Sequence, residues 1–179
     1  MRILNAFATV AALALAACGG EPLQTGPVDP RILRSLENAH LDPASAMVAL
    51  NVYRRSHALG PVRLDPALTA MAQRQADAMV SANEMTHNAN GSFASRVAVS
   101  GVSVSEAGEN LGGGYYSTEE AMTGWRNSPE HNANLLLPKA TRFGIAIAKD
   151  PRTSFRIYWA MEVAAEPAPS AGAAGLRTQ

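Results

Sequence analysis

The chain has 179 residues, 15 basic and 15 acidic side chains, a formal net charge of zero, 47% hydrophobic residues and one cysteine. That length suits one domain with a sizeable core. The charge balance offers no basic surface for a nucleic-acid partner, and a single cysteine excludes an intramolecular disulfide, so the fold must rest on its core.

Arg2 gives a short positive start, residues 3–17 are mostly apolar, and residues 15–18 read Leu-Ala-Ala-Cys. This is the layout of a secretory signal over residues 1–17, too short to serve as a permanent membrane span. The small-small-Cys ending resembles the lipobox of bacterial lipoproteins. That resemblance implies that Cys18 is acylated and anchors the mature chain to a membrane, and it accounts for an unpaired cysteine in a secreted protein. Gly19 is not an acid, which by the same resemblance points to the outer membrane or periplasm in a diderm host. Removal of Arg2 with the signal leaves a net charge of −1. Residues 18–30 are rich in Gly and Pro and read as a flexible tether. Residues 31–165 form the folded unit. Residues 166–179 are rich in Pro, Ala and Gly, lack a periodic apolar face and are expected to be disordered.

Within the folded unit, Asp42-Pro43 opens the first predicted helix, with Met47, Leu50 and Tyr53 at helical spacing and Gly60 as its stop. Asp65-Pro66 opens a second, carrying Leu68, Met71, Ala72, Ala76 and Met79 and ending near Asn83. Ser92 caps a short third helix through Val99. Residues 108–114 make a glycine-rich passage. Ser117 with Glu120 forms a capping box for a helix bearing Ala121, Met122 and Trp125. Ser128-Pro129 restarts helical geometry, with Ser128 expected to accept from the backbone N–H of His131. Two strands close the domain: Phe143, Ile145 and Ile147 alternate on one, and Phe155, Ile157, Trp159, Met161 and Val163 on the other. Lys149 to Ser154 form the hairpin loop between them. Helices first and paired strands last predict an antiparallel α+β fold.

Several blocks in this order resemble the CAP superfamily, which comprises the cysteine-rich secretory, antigen 5 and pathogenesis-related 1 proteins, and especially its bacterial sperm-coating-protein-like branch. They are Leu50-Asn51 with Arg54, Gly60-Pro61, Leu64-Asp65, His87, Arg96, Gly108-Glu109-Asn110-Leu111, Trp125 with Asn127-Ser128-Pro129 and His131, Asn134-Leu135, Phe143-Gly144-Ile145 and Tyr158-Trp159. The resemblance implies an α-β-α sandwich, a small antiparallel sheet flanked by helices. It also implies a cleft lined by two histidines and two glutamates. The histidines map to His87 and His131 and the first glutamate to Glu109. The second position holds Ser128, and Glu130 lies about 100° around the helix from His131, so the tetrad is incomplete.

His87, His131 and Glu109 suit Zn²⁺ or another divalent metal, with one position open to water. No closely spaced histidine pair supports this independently, so the site depends on the fold. Asn134, three residues after His131, is expected to orient that ring, Asn110 to brace a turn, and Ser128 to cap its helix. Asn51 and Arg54 are expected to make structural hydrogen bonds, and Trp125 and Trp159 to lie in the core. Glu109 is the one candidate catalytic group, yet no general base remains once it is spent as a ligand. The reading that the resemblance favours is a ligand- or partner-binding module, for a lipid-like or cell-envelope ligand, with weak metal binding. The alternatives are a metal-dependent, peptidase-like hydrolase and a structural envelope protein.

Overall fold

Three helices start at an aspartate followed by proline, and the cause is local. Proline fixes φ and has no N–H to leave unpaired, while the acid before it accepts from the first free backbone donors. In the computed structural model, which describes residues 22–168, Asp29 accepts from Arg31 N at 2.8 Å, Asp42 from Ala44 N at 3.0 Å and Asp65 from Ala67 N at 2.9 Å. These begin α1 (Pro30–Asn38), α2 (Pro43–Ser56) and α3 (Pro66–Ala82). Ser92 and Ser117 cap α4 (Phe93–Val99) and α5 (Thr118–Arg126) by accepting from Ser95 N and Glu120 N, both at 3.2 Å. Asn83 ends α3 in the left-handed conformation that asparagine tolerates, with φ 49°. Cys18 and the signal segment lie outside the described residues, as do residues 169–179 of the expected tail.

α1 is absent from the sequence reading, which finds its first helix at Asp42. Of its nine residues only Leu36 is buried, and it follows directly on the Gly/Pro-rich stretch that reads as a tether. The helix ending at Ser56 also stops earlier than Gly60, because Ala58 already turns left-handed at φ 57°. Ser128 stands at the N-cap of α6 (Pro129–Leu135) but makes no capping hydrogen bond, contrary to expectation. Pro129 sets the start, and bonds from other elements hold the helix. Tyr53 Oη donates to Asn132 Oδ1 at 2.8 Å, and Arg54 Nη1 donates to the carbonyls of Leu135 and Leu137 at 2.9 and 3.0 Å. Asn51 and Arg54 thus are structural: Asn51 pairs both ways with the Val62 backbone, at 2.9 and 2.8 Å.

The sheet has four strands rather than the two expected: β1 (Arg63–Leu64), β2 (Glu106–Gly113), β3 (Arg142–Lys149) and β4 (Ile157–Ala165), in the order β1-β3-β4-β2. All pairs are antiparallel except the short β1–β3 pair. The connection between β3 and β4 runs over 150–156, two residues beyond the predicted loop. β2 is the glycine-rich passage itself. Its glycines are there for neighbours rather than for turns: a Cβ on Gly108 would lie 2.4 Å from Asn134 Oδ1, and one on Gly113 would lie 2.6 Å from the Phe155 ring.

Every residue of β4 is buried, because helices cover both faces. Ile157, Trp159, Met161 and Val163 pack with Phe143 and Ile145 against α2, α5 and α6 residues such as Leu50, Met122, Trp125 and Leu135. On the other face, Tyr158, Ala160 and Ala164 meet α3 through Ala72, Ala76, Met79, Leu68 and Met71. The result is the expected α-β-α sandwich. Both tryptophans are fully buried, and each indole N–H finds a carbonyl: Trp125 donates to Leu111 O at 2.8 Å and Trp159 to Tyr115 O at 2.7 Å.

Candidate functional site

β2 is an edge strand paired with β4 in a register that sets Glu109 opposite Glu162. Cross-strand partners in an antiparallel pair share one face, so two carboxyl groups lie side by side on the α3 side of the sheet. Both side chains are almost fully buried, at 2% and 0% exposed. Arg96 of α4 answers this charge. Its Nη1 donates to Glu109 Oε2 at 2.7 Å and its Nη2 to Glu109 Oε1 at 2.8 Å, a two-pronged grip of the kind that guanidinium and carboxylate make best. The same guanidinium donates to the carbonyls of His87 at 3.0 Å and Gly91 at 3.3 Å, so it pins the loop after α3 while holding Glu109. Gln75 Nε2 supports that loop from α3 by donating to Thr86 O at 2.7 Å.

Glu162 is the remaining acid. Arg96 Nη1 stands 3.6 Å from it, and neither of its oxygens receives a hydrogen bond. Burial pushes its carboxyl well above the ordinary value, the negative charge of Glu109 adds to the shift, and Arg96 opposes it. One guanidinium cannot neutralise two buried carboxylates. The arrangement therefore favours the uncharged form of Glu162.

His87 reaches this cluster from outside. Its Nδ1 lies 2.7 Å from Glu109 Oε1 and its side chain is 54% exposed. A carboxylate gripped by arginine only accepts, so Nδ1 carries the hydrogen and Nε2 is left with a lone pair when the ring is neutral. His131 comes from α6, on the other side of the edge strand. Burial pulls its ring below the ordinary histidine value, the charge of His87 lowers it further, and Glu130 pulls the other way. The two histidines thus come from opposite layers and feel each other across β2. Of the three candidates, His87 and Glu109 meet directly, although they stand 22 residues apart in sequence, and His131 is tied to them only by the charge of His87.

The roles around them differ from expectation. Asn134 does not orient the His131 ring: its Nδ2 donates to Glu109 O at 3.0 Å and to Asn110 Oδ1 at 2.9 Å. Asn110 braces no turn. It lies in β2, and its Nδ2 donates to His131 O at 2.9 Å. The two asparagines therefore bind α6 to the open edge of the sheet and fix its distance from Glu109. Glu109 is not a free ligand either, since both oxygens are already occupied by Arg96 and His87. Among the described residues, no three His, Cys, Asp or Glu side chains gather as a metal-holding group. Glu109 fixes the tautomer of His87 from behind. Glu162 was missed in the sequence, where its signal is one acid inside an otherwise apolar strand. An open groove of about 630 Å³ lies elsewhere, against α5, lined by Tyr115, Thr123, Gly124 and Asn127.

A model of the cysteine-rich secretory protein (CAP) family matches residues 47–163. An uncharacterized protein, YkwD, of Bacillus subtilis (strain 168) is 31% identical over 97 residues, which cover 53% of this chain and 38% of that one. This chain therefore spans less than half the length of that relative. Among solved structures, an extracellular protein containing an SCP domain from Bacillus anthracis superposes with a TM-score of 0.62 at 21% identity, covering 79% of this chain and 45% of that one. An outer surface protein from Borrelia burgdorferi superposes with a TM-score of 0.61 at 20% identity, covering 72% of this chain and 99% of that one. With the family match running from α2 into β4 and the sandwich seen again in these structures, the chain belongs to the CAP family.

Proposed function

We propose that this chain is a binding module of the cell envelope, anchored to a membrane through acylated Cys18, whose His87–His131 edge takes a divalent metal weakly. The observation that carries this reading is the state of Glu109. A hydrolase would need it as a free general base or as a ligand to an activated water. Arg96 instead holds both of its oxygens, and His87 takes what remains. The neighbouring structures described as extracellular and outer-surface proteins support the envelope setting. Among the described residues no helix is long and apolar enough to cross a membrane, and in this reading the acyl chains on Cys18 supply the anchor.

Two imidazoles suit Zn²⁺ or a similar borderline ion, and water would complete its shell. When bound, such an ion would supply an electrophilic centre for a carboxylate or carbonyl of a cell-wall or peptide ligand. The test is calorimetric titration of Zn²⁺ into the metal-free mature chain beside the His87→Ala/His131→Ala variant and Glu109→Gln. One-site binding in the wild type, lost in the folded double variant and weakened in Glu109→Gln, supports the reading. Equal binding in all three, or none in any, refutes the metal site. Peptide hydrolysis that disappears in folded Glu109→Gln would establish the hydrolase instead.

A further inference from the structure

The first described residues do not hang free of the domain. Gln24 N donates to Arg152 O at 2.9 Å, and Asn83 Nδ2 donates to Pro22 O at 3.5 Å. Asn83 also accepts from Ser154 N at 2.7 Å and from Tyr158 Oη at 3.1 Å. The chain therefore leaves the domain at one defined place, where the end of α3 meets the connection between β3 and β4. Cys18 lies four residues before Pro22, and four residues span at most about 14 Å when fully extended. If Cys18 carries the acyl chains, as in the reading above on which this inference rests, that place cannot stand far from the bilayer.

The same place exposes apolar side chains. Leu23 is 48% exposed, Met85 43% and Phe155 36%. Leu23 follows Pro22, Phe155 follows Ser154, and Met85 is two residues beyond Asn83, so all three surround the Asn83 junction. The formal charges beside them are mixed: Arg152 on the connection, with Asp150 accepting from its N–H, and Glu84 next to Met85. Apolar contact, not charge, is what this patch offers a surface.

We infer that the face formed by Leu23, Met85 and Phe155 around Asn83 rests on the surface of the membrane that holds the Cys18 anchor. A short tether raises the effective concentration of bilayer at this face, and three apolar side chains at headgroup depth turn proximity into orientation. The orientation has a consequence for the cleft. Glu109 and Glu162 are four register positions along the strands from Gly113 and Tyr158, about 13 Å further from the junction. The histidine edge then faces water just above the lipid, with His87 two residues along the chain from Met85.

The test uses the mature lipoprotein in vesicles of phosphatidylethanolamine and phosphatidylglycerol carrying a nitroxide lipid. A fluorophore is attached at Ser154→Cys, beside Asn83, or at Ser103→Cys. Ser103 marks the opposite end of the sheet, where its carbonyl accepts from Arg142 at the start of β3. The eight residues of β3 separate the probes by roughly 23 Å, so quenching at Ser154→Cys should exceed that at Ser103→Cys by about threefold or more and should persist in high salt. Vesicle-bound protein with equal quenching at both probes, or with more at Ser103→Cys, overturns the orientation while leaving the anchor intact. Protein that does not float with the vesicles, with an unmodified Cys18 by intact mass, overturns the anchor and the orientation with it.

Discussion

Replacing Arg96 by Met tests the central arrangement, because a similar volume is kept while the charge is lost. The change strands Glu109, whose side chain is 2% exposed, without its cation. It also removes the donors to the carbonyls of His87 and Gly91. Breaking a buried ion pair from one side costs about 3–5 kcal/mol, since an uncompensated charge stays in a dry site. That is a large share of the roughly 5–15 kcal/mol that holds a domain of this kind. Urea unfolding followed by tryptophan fluorescence is a suitable assay, because Trp125 and Trp159 are both fully buried and report the core. Adding Glu109→Gln to Arg96→Met should restore about 1–3 kcal/mol, the desolvation cost of the abandoned acceptor. An Arg96→Met chain within about 1 kcal/mol of wild type, or a double variant no more stable than the single one, would show that the pair is solvated and that Glu109 is free for chemistry after all.

Three further outcomes follow from the geometry. Glu162 is held well above the ordinary carboxyl value of 4.5, so its contribution to stability is complete below that value and is lost as pH rises through its raised folded value; Glu162→Gln should flatten the fall in urea midpoint on the alkaline side, and parallel wild-type and variant curves would contradict the assignment. Ser128 makes no capping bond whereas Ser92 does, so Ser128→Ala should change thermal stability by under about 0.5 kcal/mol and Ser92→Ala should cost about 1 kcal/mol; equal losses would restore the cap expected from sequence. A Cβ on Gly144 would lie 2.3 Å from Thr69 N and 2.4 Å from Leu68 C, backbone atoms that cannot swing aside, so Gly144→Ala should cost at least the upper part of the roughly 1–3 kcal/mol range for overpacking, and a variant as stable as wild type would mean that α3 shifts freely over β3.

What the sequence made legible was what is decided within one stretch of chain. Asp42-Pro43, Asp65-Pro66, Ser92 and Ser117 act on donors two or three residues away, and each starts a helix as expected. Alternation in β3 and β4 follows from the period of a strand, and Phe143, Ile145, Ile157, Trp159, Met161 and Val163 face the core it predicted, whereas Phe155 lies in the connection before β4 and is exposed. β2 escaped because alternation is a side-chain signal and its glycines carry none. Their reason lies in Asn134, Tyr115 and Phe155, which cross the strand from elsewhere. α1 escaped because it follows directly on the Gly/Pro-rich stretch and its apolar face is only Ile32, Leu33 and Leu36.

The site was partly hidden for the same reason. His87, Glu109 and His131 were named by family resemblance, but their roles depend on partners that spacing does not show. Arg96 precedes Glu109 by 13 residues and Glu162 follows it by 53. Only the β2–β4 register and the α4 packing put the three together. Reasoning along one helix gave Asn134 to His131 and Ser128 to the same turn, since both are near in sequence. In the fold, Asn134 satisfies the carbonyl of Glu109 on the open sheet edge, and Asn110 satisfies the carbonyl of His131 in return. A buried carbonyl without a donor costs more than a ring left free to turn at a half-open edge. The asparagines therefore serve the backbone, and His131 keeps a ring that no side chain among the described residues has claimed for structure. Glu109, by contrast, has both oxygens taken by Arg96 and His87, so the acid of this edge is already committed to holding the loop after α3 against the sheet.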